Sequence, residues 1–529
     1  MPSSHKRKSQ TKKRHIESQR HTSGVSTPLP TLPDDILRAI FLLNASDADV
    51  PTRQRRKTTI TYLFVCRRWY NILMDHGQVW GRLVLLDYAN GPVRTREAIR
   101  HTQERAKAAL LWVEMVCHGS PPTTTNDDSE VFSSVIRLFF FQTHRLEKVV
   151  LDFNNYVSMT MLWGLCGGLE CAHDNILPFQ SLRSLTIELW PVKRSTAWNN
   201  IAEVMCGGGL RPLHAPLLNT FSCNVFLHKT WPVNVRNLAI TPFDDSSGMS
   251  LSDTLRALGT MHHLERLSIE HTFKPESSST LRDLPWPALP NLQEADLKCD
   301  YGTLVHLCSR INPSKKMSVV VPRRSGSNKH DYTRRDFIEI SRLCDILLSS
   351  SQGSVENSQG LDCTMAEQAF SFCTFHVKPQ GVGYRTTSFS CSWSRRTSVK
   401  RKPYTILSFP SFRKYSHIRL SIPDKQFRRE SNMPFIINSF SGATTLEIDM
   451  STLFSLLLSD KDDLHNFQSE DNASVSQGLF PKLRRVHLQP TYSWKMKKDE
   501  EHATLLAFRR FLEQRRPHGL KNVSEVLVY

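Results

Sequence analysis

Cys166, Cys171 and His173 stand as Cys-x4-Cys-x-His, three side chains that could ligate zinc. A structural zinc site needs four ligands at recognised spacings, and no fourth ligand accompanies these three. Cys363, Cys373 and His376 fall short in the same way. Cys206-Gly207-Gly208-Gly209 could approach a phosphate closely, but no phosphate-binding lysine follows, so it reads as a flexible turn. The chain contains no Gly-x-x-x-x-Gly-Lys-Ser/Thr loop, His-Glu-x-x-His helix or Gly-x-Ser-x-Gly elbow. Asp462-Asp463 reads as a solvated pair of loop acids, and none of the 21 histidines is placed by a motif. The expectation is a non-catalytic protein with no metal and no cofactor.

With nothing to catalyse, the elements have a surface to present instead. A chain of 529 residues exceeds one ordinary core, so several domains or a repeat array are expected. Hydrophobic residues at 39% and charged residues at 22% are ordinary for a globular protein. The net charge of +18 raises the prospect of acidic or nucleic-acid partners. Part of that charge lies in Lys6, Arg7, Lys8, Lys12, Lys13, Arg14 and Arg20, opposed only by Glu17. Residues 1–30 hold few apolar side chains and are expected to be a disordered basic tail, either a nuclear import signal or a plain solvated extension. The hydrophilic opening is unlike a signal peptide, and no run of 18 apolar residues occurs. The expected setting is therefore intracellular, nuclear or cytoplasmic, with no membrane, and with the twelve cysteines mostly reduced and buried.

Order is expected to begin near Thr31. Thr31 is a candidate N-cap, Pro33 fits a first helical turn, and Asp34 and Asp35 suit the helix dipole. Leu32, Ile36, Leu37, Ile40 and Phe41 then fall on one helical face. Residues 44–57 read as a polar loop containing Pro51. A second helix is expected from about Thr58 to Met74, carrying Val65, Cys66 and Trp69. A short third element holds Val79, Trp80 and Leu83 and runs into Val84-Leu85-Leu86. Residues 87–142 read as a helical linker region, with helices over 96–116 and from Asp127 to Phe141.

Beyond residue 143 a pattern Leu-x-x-Leu-x-Leu recurs, its last three positions alternating as in a short strand. Leu146, Val149 and Leu151 form one copy; Leu182, Leu185 and Ile187 form another; Leu264, Leu267 and Ile269 are the clearest. Leu218, Phe221 and Cys223 are a poorer copy; Val235, Leu238 and Ile240, and Leu292, Ala295 and Leu297, are further ones; later candidates are Ile418 with Leu420, Leu446 with Ile448, Leu483 with Val486 and Leu488, and Val523 with Val526 and Val528. One such segment cannot bury its apolar side alone, whereas stacked parallel neighbours can. The alternative is a set of unrelated amphipathic strands in an ordinary α/β domain. A polar insertion around 350–410 interrupts the array and is a candidate for disorder, although Cys373, Phe375 and Val377 alternate like one strand.

Leu32-Pro33-Asp34-Asp35-Ile36-Leu37-Arg38-Ala39-Ile40-Phe41, Val65-Cys66-Arg67-Arg68-Trp69 and Trp80 together resemble an F-box, in order and spacing, over residues 31–86. The loop between the first two motifs reads as longer than in compact F-boxes. The resemblance implies a small helical module that binds a Skp-type adaptor and, through it, a cullin–RING ubiquitin ligase. Leu32, Pro33, Ile36, Leu37 and Ile40 are the expected contacts, helped by Val65, Cys66 and Trp69; Trp69, Val65 and Trp80 could instead be module core, the preferred reading for Trp80. Residues 143–529 resemble the degenerate leucine-rich-repeat-like domains that follow an F-box in many fungal proteins, with copies spaced more widely than typical repeats. The whole is then an α/β protein: a helical F-box followed by an irregular leucine-rich-repeat-like solenoid with short parallel strands. The implied function is a non-catalytic substrate receptor for an unidentified protein substrate. The competing reading is a basic nucleic-acid or chromatin-associated protein, for which the charge is diffuse.

Overall fold

The structure, a computed structural model, describes residues 32–87, 97, 99–101, 104–117, 142–153, 179–189, 215–224, 232–241, 250–270, 273, 283–313, 316–321, 334–350, 359–366, 369–376, 385–392, 410–421, 439–449, 452–453, 483–489, 506 and 526–528. The basic tail, Thr31, the expected helix from Asp127 to Phe141, Val377, Val523 and the Cys166–His173 and Cys206–Gly209 segments lie outside the described residues.

Four helices open the fold: α1 (Asp34–Ser46), α2 (Thr52–Tyr62), α3 (Arg67–Asp75) and the single turn α4 (Gly77–Gly81). Helix α1 starts one residue after Pro33, which takes the cap position with no side-chain cap bond; the expected threonine cap is thus corrected. The expected polar loop over 44–57 is also corrected. Helix α1 continues to Ser46, and Pro51 leads straight into α2 with φ −54°. The single helix expected from Thr58 to Met74 is instead two, broken at Leu63–Cys66.

The rest is mixed α/β. Among the described residues sixteen strands form one sheet: β1 (Val84–Asp87), β2 (Leu111–Cys117), β3 (Leu146–Phe153), β4 (Ser184–Leu189), β5 (Thr220–Cys223), β6 (Asn237–Ile240), β7 (Arg266–Glu270), β8 (Glu294–Lys298), β9 (Lys316–Val321), β10 (Gln359–Ala366), β11 (Ala369–His376), β12 (Arg385–Ser392), β13 (His417–Ser421), β14 (Thr445–Asp449), β15 (Arg485–Gln489) and β16 (Val526–Val528). Their spatial order follows the sequence except for β9-β12-β11-β10-β13. Pairing is parallel throughout, apart from the antiparallel β10–β11 and β11–β12. The expected short parallel strands are therefore present.

Alternation explains which way each strand faces. Leu185 and Ile187, Leu267 and Ile269, and Val486 and Leu488 are buried, while Arg266 and Arg485, each one residue before a buried position, are exposed. In-register parallel pairing then places Leu185 beside Phe221, and Leu238 beside Leu267. Before many strands an apolar pair three residues apart closes a turn, as in Met261 O accepting from Leu264 N at 3.0 Å and Phe440 O accepting from Ala443 N at 2.9 Å. A backbone bond then passes between the segments that precede neighbouring strands: Glu265 N donates to Arg236 O at 2.7 Å and Gln293 N to Glu265 O at 2.8 Å. Gly442 is required at one such turn, since a Cβ there would meet the Arg413 carbonyl oxygen at 1.8 Å.

Helices α5 (Leu251–Gly259), α6 (Tyr301–Arg310) and α7 (Arg334–Ser350) lie against the buried face, with Leu255, Leu307 and Leu343 in the same core as the strands. Ser250 and Asp300 cap the first two by accepting from Asp253 N and Thr303 N, each at 3.1 Å.

Two further expectations are corrected. Residues 111–117 form strand β2 rather than the end of a helix, because Leu111, Val113 and Met115 alternate with period two and all are buried. The region 350–410, expected as a polar insertion, contributes three strands. Phe370, Phe372 and Phe389 bury themselves there, with ring centroids 5.3–6.2 Å apart, and Phe372 meets Phe412 at 6.0 Å. Cys373 does lie in a strand, as expected, but beside buried Phe372 and Thr374 it belongs to the other face.

Candidate partner-binding surface

The N-terminal module has its own small core of Leu37, Phe41, Ala45, Ile72, Leu73, Val79 and Leu83. Phe41, Tyr62 and Trp69 pack against one another at 5.2–5.7 Å, with Trp69 edge-on to both partners. Trp80 is buried in the core of the sheet rather than in the module's own, which corrects its expected place, and its indole Nε1 donates to Leu73 O at 2.7 Å.

Helix α2 is joined to α1 by polar contacts. The buried Arg55 guanidinium donates to Ala45 O and, at 2.6 Å, to Thr52 Oγ1, and Asn44 Nδ2 donates to Thr59 Oγ1 at 3.0 Å. Ala45 lies in the last turn of α1, where carbonyls lack helical partners, so the cation satisfies one of them. Burial holds the Arg55 pKa below its ordinary value, against the opposing pull of Glu114 and Asp47. The module docks onto the sheet through Trp112 of β2, whose ring meets Arg82 at 4.8 Å, Lys148 at 5.3 Å and Arg55 at 6.0 Å. The Trp112 Nε1 donates to Glu147 at 2.9 Å.

The expected site residues separate into two sets. Leu37 is only 1% exposed and belongs to the module core, which corrects its expected role as a contact. Trp69 is half-buried against the same core. Leu32, Pro33, Ile36, Ile40, Val65 and Cys66 are exposed. Along α1, Leu37, Phe41 and Ala45 point inward at spacings of four, while Ile36 and Ile40 run parallel to them, turned by about 100°. Arg68 brings the two exposed groups together: its Nε donates to Asp34 at 2.8 Å and its Nη2 to Leu32 O at 2.5 Å, so the turn before α3 abuts the start of α1.

Sequence reasoning missed three apolar neighbours of this set: Leu43 at 71% exposure, Phe64 at 83%, and Tyr70. More than half of the large exposed apolar side chains among the described residues lie between Leu32 and Tyr70. Such a concentration is typical of a protein–protein contact. Leu43 could have been found from its i, i+7 spacing to Ile36; Phe64 had no periodic signal because it sits in a turn.

Elsewhere, Cys363 is buried on one face of the sheet and Cys373 faces the other, so they share no metal site. Among the described residues no group of three or more His, Cys, Asp or Glu could hold a metal ion. No helix among them is long and apolar enough to cross a membrane. No protein-family model matches this sequence, and no curated protein matches it.

Proposed function

We propose that residues 31–86 are an F-box, that the strand array is a leucine-rich-repeat-like solenoid, and that the chain is a non-catalytic substrate receptor of a Skp–cullin–F-box type ubiquitin ligase. The supporting observation is the apolar stripe of Leu32, Ile36, Ile40, Val65 and Phe64 on a module whose own core is already filled by other residues. A monomer gains nothing from such a stripe, whereas a partner helix buries it. The array offers a long parallel sheet with one face toward solvent, suited to capturing a second protein. The rival nucleic-acid reading draws on the +18 charge, yet several described cations sit in ion pairs, including Arg236–Glu265 at 2.9 Å and Arg256–Asp253 at 2.7 Å.

The test is capture of a recombinant Skp-type adaptor by the full chain, compared with the variant Ile36→Asp/Ile40→Asp. Two charged groups in a desolvated contact should reduce capture at least a hundredfold, while circular dichroism stays the same. Undiminished capture by the variant, or none by the unaltered chain, defeats the reading.

A further inference from the structure

We infer that the junction between helix α2 and strands β1–β3 binds a compact, phosphate-rich anion. The inference goes beyond the adaptor reading and does not rest on it.

Burying a cation is unfavourable unless an anion or several acceptors stay with it. Three cations nevertheless converge on one indole here. Around Trp112 stand Arg82, which follows α4, Lys148 of β3 and Arg55 of α2, at 4.8, 5.3 and 6.0 Å from the ring centroid. Lys148 is fixed in this place because it lies directly beside Trp112 in the β2–β3 register. Arg55 is 5% exposed, and Arg82 and Lys148 are half-buried. Among the described residues none of the three is in an ion pair. Their hydrogen bonds go to neutral groups: Arg55 donates to Ala45 O and Thr52 Oγ1, and Arg82 to Ser46 Oγ. Glu114 acts on Arg55 and Lys148 from a distance, and Asp47 on Arg55. Glu147, the remaining acid beside the ring, already accepts from Trp112 Nε1 and lies 3.7 Å from Arg183.

The next residue of α2 repeats the situation. Arg56 is half-buried near Arg105, whose guanidinium lies 4.7 Å from the Trp80 ring. Among the described residues neither has a hydrogen bond or an ion pair. Burial lowers the pKa of Arg56 and of Lys148, and a neighbouring cation lowers each further, Arg105 for the first and Arg55 for the second. The junction therefore gathers like charges that work against one another.

A second observation does not depend on charge. The Arg55 Nε–H is buried and has no acceptor. Buried donors in native proteins are nearly always satisfied, and an orphan calls for a missing partner. A phosphate group supplies both wants at once: it carries the charge that several cations can share, and oxygens that accept from guanidinium groups. Because these cations are buried or half-buried, the fit is to a small anion and not to a nucleic-acid backbone. Held between α2 and the sheet, such an anion would join the module to the array.

The test is isothermal titration of the full chain with inorganic tripolyphosphate, with thermal unfolding followed on the same samples. Tripolyphosphate should bind and raise Tm. ATP should bind within a few-fold of it, since the cations meet the phosphates; binding of ATP without binding of tripolyphosphate overturns the inference. Arg56→Gln/Lys148→Gln should weaken both at least about tenfold. Its ligand-free Tm should stay the same or rise, because the change relieves repulsion. Lys148→Arg, which keeps the charge, should keep the binding. A lower ligand-free Tm in the double variant would make these cations structural and overturn the inference. So would undiminished binding by that variant, or no binding by the unaltered chain. Lys12→Ala/Lys13→Ala/Arg14→Ala should bind like the unaltered chain; loss of binding there would move the site to the basic tail. A single-stranded oligonucleotide that binds more tightly than tripolyphosphate, and loses its binding in the double variant, would make the junction a nucleic-acid site and defeat the proposal.

Discussion

Leu37 and Ile36 are adjacent in sequence and lie on faces of α1 about 100° apart, so truncating each to alanine separates packing from recognition. Leu37 is 1% exposed among Phe41, Ile72 and Leu73, whereas Ile36 is 46% exposed. Leu37→Ala removes a fully buried isobutyl group and leaves a cavity, at a cost of about 3 kcal/mol. A module of this size has only about 3–8 kcal/mol to lose. The population of the locally open module should therefore rise about a hundredfold. Ile36→Ala removes atoms already half in water, for a cost within about 0.5 kcal/mol. Hydrogen exchange read by mass spectrometry on peptides from residues 34–46 gives the opening free energy directly, and adaptor capture gives recognition. Leu37→Ala should lose protection about a hundredfold, while Ile36→Ala keeps protection and loses capture. Equal loss of protection in the two variants would falsify the division of α1 into an inward and an outward stripe.

Leu267→Asp places a carboxylate beside Leu238 and Ala295 in the core and should unfold at least strands β6–β8, seen as new proteolytic cleavage there. Arg266→Ala should resist proteolysis like the unaltered chain, because its 3.7 Å pair with Glu294 is exposed. Glu447 has its folded pKa lowered, so its contribution is present above the ordinary carboxylate range and is lost as pH falls from about 4.5 toward about 2. Exchange protection of β13 and β14 should fall through that window, and Glu447→Gln should remove the step; an identical profile in the variant would refute the assignment.

Strand positions were the most legible part of the sequence, because period-two alternation reports a half-buried strand wherever Leu, Val or Ile fills the inner positions. Leu185, Leu267 and Val486 were readable on that ground alone. Strand β2 was misread because Ile99, Ala106, Leu110 and Val113 also satisfy helical spacings, and only its pairing with β1 and β3 decides the matter. The start of helix α2 was invisible: its buried positions are Thr52, Arg55 and Thr59, which carry no apolar periodicity and are held by hydrogen bonds to α1 and within α2. Residues 359–392 look polar because Ser371, Ser388 and Ser390 lie on the face away from the core, while the buried Phe370, Phe372 and Phe389 are spread over two strands. At the candidate site the residue types were legible, but not the division of α1, since periodicity groups Leu37 with Ile36 and only the packing of α3 and α4 distinguishes them.

The inverted order β9-β12-β11-β10-β13 has a consequence for how the chain is made. Up to β9, each strand pairs with the one synthesised before it, so the sheet can grow at its open end as the polypeptide emerges. At β9 that growth stops. Its next neighbour, β12, is separated from it by α7, β10 and β11, and β10 turns its other edge to β13, which is made later still. The three-stranded antiparallel unit of β10–β12 can form by itself from local contacts, but joining it to β9 closes a long loop, an entropic cost incurred before any contact repays it. The seam between Val319 and Phe389 is thus a kinetic boundary: an N-terminal block able to form during translation, and a C-terminal block that must wait for the insert to arrive. A nascent chain arrested between β9 and β12 would carry the exposed edge of β9, an unpaired strand open to the wrong partner.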